Sequence, residues 1–256
     1  MNKILRNNFT VKWAPFALAL TLLFSATIAQ PTHAVTSVNT VKCNAITLFA
    51  SVSESALQFG AATMQKTFEL TISIMQGAWQ LEDMAVSALR AVGESAFIAA
   101  LDAFANRPGI FIKQTDVRTA ALAEYKTTML AALHLLENNI DAIRAAYRED
   151  MLALVKAHQL ALTHLVANLT ATITAALDVA QANCSSSNVV QTLVAVIVQA
   201  NLTLLTQALA EDAKSIVKAI ALVTTRNKGF ITEDVNFLKT SVDATAKLAQ
   251  AFLTRQ

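Results

Sequence analysis

Large apolar side chains recur along residues 116–182 at the spacing of one helical face. From Leu122 they fall at Tyr125, Met129, Leu133, Leu136, Ile140, Ile143, Tyr147, Met151 and Leu154. Past His158 they continue at Leu162, Leu165, Leu169, Ile173, Leu177 and Ala180. The mean step is close to 3.6 residues, the α-helical period, rather than the 3.5 of a strict heptad. No glycine or proline interrupts the stretch. It predicts one helix from Asp116 to Ala182, roughly 100 Å long at about 1.5 Å per residue. Intrinsic propensity does not hold a helix of that length in water, so partner helices must cover its seam.

A second helical region, about 45–105, precedes it. Its apolar positions include Phe49, Met64, Phe68, Ile72, Met75, Trp79, Val86, Leu89, Phe97, Leu101 and Phe104, and Ser51 and Glu54 have capping-box spacing. Residues 35–43 read as an irregular lead-in. Gly60, Gly77 and Gly93 each cost about 1 kcal/mol relative to alanine, so this arm is the one expected to bend or split. Between the arms, Asn106-Arg107-Pro108-Gly109 is a strong stop: proline cannot continue the hydrogen-bond ladder and glycine permits a left-handed turn. Two arms of similar length folded back here make an antiparallel hairpin.

After a polar turn at Cys184–Asn188, a helix over 189–226 is expected to end at Asn227-Lys228-Gly229, with Gly229 in the C′ position. Thr232 then caps a last helix over 233–254, with Glu233 and Asp234 in its first turn. β-Branched runs bounded by turns are absent. The expected fold is therefore all-α: an elongated bundle built on a long antiparallel hairpin with two further C-terminal helices, forming a single domain over 35–256.

The two cysteines test that hairpin. Cys43 and Cys184 lie at nearly equal distances from the 108–116 turn, so folding brings both to the distal end. In an exported chain they are most simply one disulfide, and two thiols are too few ligands for zinc. Closing so long a loop sets a ceiling of about 5 kcal/mol in the chain-entropy account.

Export is indicated by the N-terminus. Lys3, Arg6 and Lys12 precede an apolar run from Ala14 to Ala29, and small residues end at Ala34. This is the pattern of a secretory signal peptide cleaved after Ala34, and the apolar run is shorter than the ~20 residues of a spanning helix. The mature chain is then secreted, periplasmic or on the cell surface. The whole chain has 20 Lys+Arg against 18 Asp+Glu. Removing the three N-terminal bases leaves 17 against 18, so the basic footprint of nucleic-acid binding is missing.

Candidate chemistry is sparse. Between Ala157 and Ala210 only Asp178 is charged, and a charge-free hairpin of this kind resembles those of helical pore-forming proteins. Within it Leu193, Val194, Val196, Ile197 and Val198 form a candidate membrane or partner face. The neutral polar stripe Thr192, Gln199, Thr203 and Thr206 suits bundle packing better than plain lipid. His158 interrupts the apolar seam and is a candidate pH-sensitive core residue, since imidazole charge changes in the physiological range. Glu137, Asp141, Arg144, Arg148, Glu149 and Asp150 read as a solvated charged face contributing little. Asn168, Asn183 and Asn201 each begin an Asn-x-Ser/Thr triplet, the acceptor pattern for glycosylation in a eukaryotic source. His134 and Glu137 stand in the reverse order of the Glu-x-x-His element of di-iron bundles, and no second pair occurs. No nucleophile motif or glycine-rich phosphate loop is present, so neither cofactor nor catalysis is expected. The chain reads as an exported structural or interaction protein acting through its helical surface, with a protein partner or a second copy. The alternative is a membrane-active or lipid-binding protein using residues 157–210.

Overall fold

A computed structural model of the chain describes residues 35–105 and 116–253. The expected signal segment 1–34, its cleavage point after Ala34, and the turn at Asn106–Gly109 lie outside these residues. Three helices account for the described chain: α1 (Val35–Ala105), α2 (Asp116–Ala182) and α3 (Val189–Leu253). No strand occurs among the described residues, and the fold is all-α as the periodicity predicts.

α2 has the bounds its pattern gives, and every seam position from Leu122 to Ala180 is buried or half-buried. Elsewhere the element boundaries differ. α1 begins at Val35 rather than near residue 45, because nothing before Gly60 opposes helix. The Ser51 hydroxyl bonds the Leu48 carbonyl at 2.9 Å, as a helix-interior serine does, and caps nothing. α1 also runs unbroken through Gly77 and Gly93.

The two expected C-terminal helices are one. α3 continues through Asn227-Lys228-Gly229, and the Thr232 hydroxyl donates to the Lys228 carbonyl at 2.9 Å inside the helix. Packing on α2 explains this. A Cβ placed on Gly229 would lie 3.0 Å from Ile143 Cδ1, so glycine here lets α3 approach α2 rather than ending α3. Arg226 lies 4.5 Å from the Tyr147 ring centre and 5.7 Å from that of Phe230, bridging the expected gap.

Packing divides the described residues into two units. The first gathers residues up to Thr71 with Ala153–Lys218; the second gathers Ile72–Leu152 with those from Ala219. In the first, Ile46, Leu57, Leu169, Ile173, Leu177, Ala180, Val189, Leu193 and Ile197 form one apolar core. Each large side chain buried there contributes roughly 1.5–3 kcal/mol. The Cys43 and Cys184 sulfurs are bonded, with Cα atoms 5.1 Å apart. The turn that follows is closed by Ser186 N–H to the Asn183 carbonyl at 2.9 Å, and Thr192 N–H to the Asn188 carbonyl starts α3. Cys43 against Cys184 and Phe68 against His158 give α1 and α2 antiparallel order.

The second unit has the same order but different partners. Along α1 and α2, Asp83 meets Arg148, Arg90 meets Asp141, Glu94 meets His134 and Asp102 meets Lys126. Between α2 and α3, Tyr147 meets Arg226, Asn139 meets Glu233, and Arg118 meets Phe252.

Candidate interaction surface

Among the described residues of the first unit, His158 is the buried ionisable side chain. Its side chain is only 3% exposed, Nε2 lies 3.1 Å from Asp212 Oδ1, and Nδ1 lies 3.0 Å from Ser215 Oγ. The Phe68 ring meets it edge-on at 5.7 Å between centres. With Asp212 accepting from Nε2–H, the Ser215 hydroxyl donates to Nδ1 in the neutral ring. Serine, histidine and aspartate are also the members of a hydrolytic triad; here the imidazole lies buried against the Phe68 ring, between α2 and α3. That arrangement suits a polar pin fixing α3 on α2, where a register slip would strand three polar groups. Nearby, the hydrogen bond from Lys214 holds the Glu211 carboxyl below the usual range.

In the second unit the charges expected to form a solvated face are instead turned inward. Arg144 is buried, and it reaches Asp83 at 2.7 Å, Glu82 at 3.3 Å and Asp141 at 3.4 Å. Arg148 forks onto both Asp83 oxygens at 2.8 Å, takes Glu82 at 3.0 Å and lies over Trp79. Arg90 pairs with Asp141 at 2.7 Å. Asp141, Glu149 and Asp150 remain exposed as expected, Asp141 while paired with Arg90. The bond to Arg148 holds Asp83 below its ordinary range against desolvation, and Arg90 does the same for Asp141. Reciprocally, Asp141 raises Arg90 and Asp83 raises Arg148. The carboxylates are about half exposed, so solvent screens much of this attraction.

Apolar surface lies on the other side of the helices. Along α1, Ile46, Leu57 and Phe68 are buried, whereas Leu48, Phe59 and Leu70 are exposed. The exposed residues lie two positions on, about 200° round the helix from their buried neighbours. The outer row continues in the second unit at Ile74, Leu81, Met84 and Val92. α3 repeats the arrangement with Val198, Leu202, Leu205, Leu209 and Ile216 in the first unit, and Ile220, Ile231, Leu238 and Val242 in the second. These steps of three, four, seven and eleven residues keep one helical face. α2 shows few such residues, namely Leu135, Leu160 and Val179. All three helices are long and apolar enough to cross a membrane by length and composition, and no residue of α1's most apolar window is buried.

The residues of the face expected over 193–198 are divided between the core and the surface. Leu193 and Ile197 belong to the core, Val194 and Val196 are half-buried, and only Val198 stands outside. Helical rotation explains the split, because consecutive residues differ by about 100°. Asn168 and Asn183 are exposed, while Asn201 is half-buried with its amide on the Ile197 carbonyl at 2.9 Å. A shallow groove of about 400 Å³ in the first unit, lined by Met64, Thr163, Val166 and Thr170 among others, has no convergent polar groups. Among the described residues, no three His, Cys, Asp or Glu side chains are placed to share a metal ion. No protein-family model, curated protein or solved structure matches the chain.

Proposed function

We propose that this chain is an exported helical interaction module whose outer apolar rows on α1 and α3 join it to other molecules. The observation that carries the reading is the pair of rows themselves: large side chains left in water, in helical phase, opposite rows already used for packing. A helix apolar on both sides is ordinarily covered on both sides. The disulfide and the leader-like N-terminus support export, because structural disulfides persist in oxidising compartments. The buried groups support a scaffold: His158 and Arg144 are spent on holding helices together.

The test is to produce the full chain with its own leader, read the N-terminal mass of the exported form, and follow association by light scattering. A mature chain beginning at Val35 that associates, and loses association when Leu81→Glu is combined with Leu238→Glu while helicity is kept, is the expected result. A retained chain, or an exported monomer that binds neither itself nor lipid vesicles, would overturn the reading.

A further inference from the structure

The outer face of α1 in the second unit is free of charge. From Ile72 to Leu101 the only charged residues are Glu82, Asp83, Arg90 and Glu94, and all four are paired with α2. What remains outside is a seam of seven-residue steps: Ile74, Leu81 and Ala88 interleaved with Gly77, Met84 and Ala91. Ile74, Leu81 and Met84 are each about 60% exposed. Neutral Ser73, Gln76, Gln80 and Ser87 flank them, also exposed. Large side chains at Ile74, Leu81 and Met84 and small ones at Gly77, Ala88 and Ala91, all at heptad spacing, supply both knobs and holes for a facing helix.

The character of the face selects its occupant. Helices that lie on lipid carry lysine or arginine on the polar side and aromatic anchors at the boundary. Here no cation is present, and Trp79 is turned toward Arg148. A charged partner helix would strand its charge against an uncharged face. The surface of this chain that matches it is the same face on a second copy, which is equally neutral and self-complementary. We infer that residues 74–92 of α1 pack against the same segment of a second copy, in an isologous pair. This inference rests on the interaction reading above and names one partner for it.

Two glycines give a test that spares the fold. A Cβ on Gly77 or on Gly93 meets nothing within 4 Å in the chain, so a longer side chain fits at either position. Gly77 is one turn from Leu81 on the seam, whereas Gly93 is about a third of the way round the helix from it. Sedimentation velocity of the disulfide-bonded full chain is run over a wide concentration range for the natural sequence, Gly77→Glu, Gly93→Glu and Leu238→Glu. The expected result is a doubling of mass with concentration that is lost in Gly77→Glu and kept in the other two. Association that survives Gly77→Glu but fails in Leu238→Glu overturns the α1 pairing while leaving the interaction reading in place. A natural chain that stays monomeric, whether or not it sediments with phosphatidylcholine vesicles with or without phosphatidylglycerol, also overturns the pairing. If it binds no vesicles either, the broader reading fails with it.

Discussion

In the first unit, one disulfide and a nine-residue apolar core join the helices, and the buried ionisable group among its described residues is a single histidine. In the second, Arg90, Arg144 and Arg148 of the same two helices reach Glu82, Asp83, Glu137 and Asp141. The helices are continuous through both regions, so the contrast lies in the side chains and not in the backbone. A long-loop disulfide acts largely by restricting the unfolded chain and is indifferent to salt and acid. Ion pairs between half-exposed groups depend on both. Solvent conditions should therefore separate two regions that share every helix.

Reduction tests the first fastening and should have the largest effect. Cys43 and Cys184 close a separation of 141 residues, and the chain-entropy account puts their loss at up to about 5 kcal/mol. With Cys43→Ser and Cys184→Ser together, amide exchange around Ile173 and Leu193 should accelerate by orders of magnitude. Exchange around Arg144 should change far less. Equal acceleration in both places would show one cooperative body with no local division of labour.

The second fastening should respond to acid and to loss of a cation. Asp83 and Asp141 are held below their ordinary range in the folded chain, so their stabilisation is full above the unfolded value. It should vanish as pH falls below about 4, toward the lowered folded values. Thermal melts read at Trp79 should be flat from neutral pH to about 4 and then drop. The core around Ile173 should follow only when the whole chain unfolds. At neutral pH, Arg144→Ala removes a buried cation shared by three carboxylates, and about 2–3 kcal/mol is expected, measured by denaturant titration. A loss below about 0.5 kcal/mol would mean that the carboxylates are adequately served by water and Arg148.

How much of this was legible follows from the range of each interaction. The α2 seam and the Cys43–Cys184 pair could be read because periodicity and loop symmetry are properties of the chain order alone. The charge cluster at 137–150 was visible as residues, but its role was not. Whether Arg144 faces water depends on Asp83, sixty-one positions away, lying one antiparallel turn across. Gly229 was misread for the same reason: a local stop signal and a close-packing glycine share one letter, and Ile143 decides between them. The outer rows escaped notice because an apolar residue in a list does not say which side of a helix is already occupied. Ile46 and Leu48 look alike until α2 covers one of them.

The finest test compares two glycines within the ion-paired unit, one facing open space and one facing packing. Gly93→Ala adds a methyl where nothing lies within 4 Å, so the helix gains the usual advantage of alanine, about 0.5–1 kcal/mol. Gly229→Ala has the same intrinsic gain, but its Cβ would sit 3.0 Å from Ile143 Cδ1. Ile143 must turn or α3 must lift by a few tenths of an ångström, and either response opens contacts in a packed interior. Denaturant midpoints should therefore rise for Gly93→Ala and stay level or fall for Gly229→Ala. Adding Ile143→Val to Gly229→Ala should recover part of the difference, because the nearest atom, the Cδ1 methyl, is then gone. Identical gains at both positions would mean that α3 does not press on α2 at this crossing. The continuity of α3 through Asn227-Lys228-Gly229 would then need another cause than contact with Ile143.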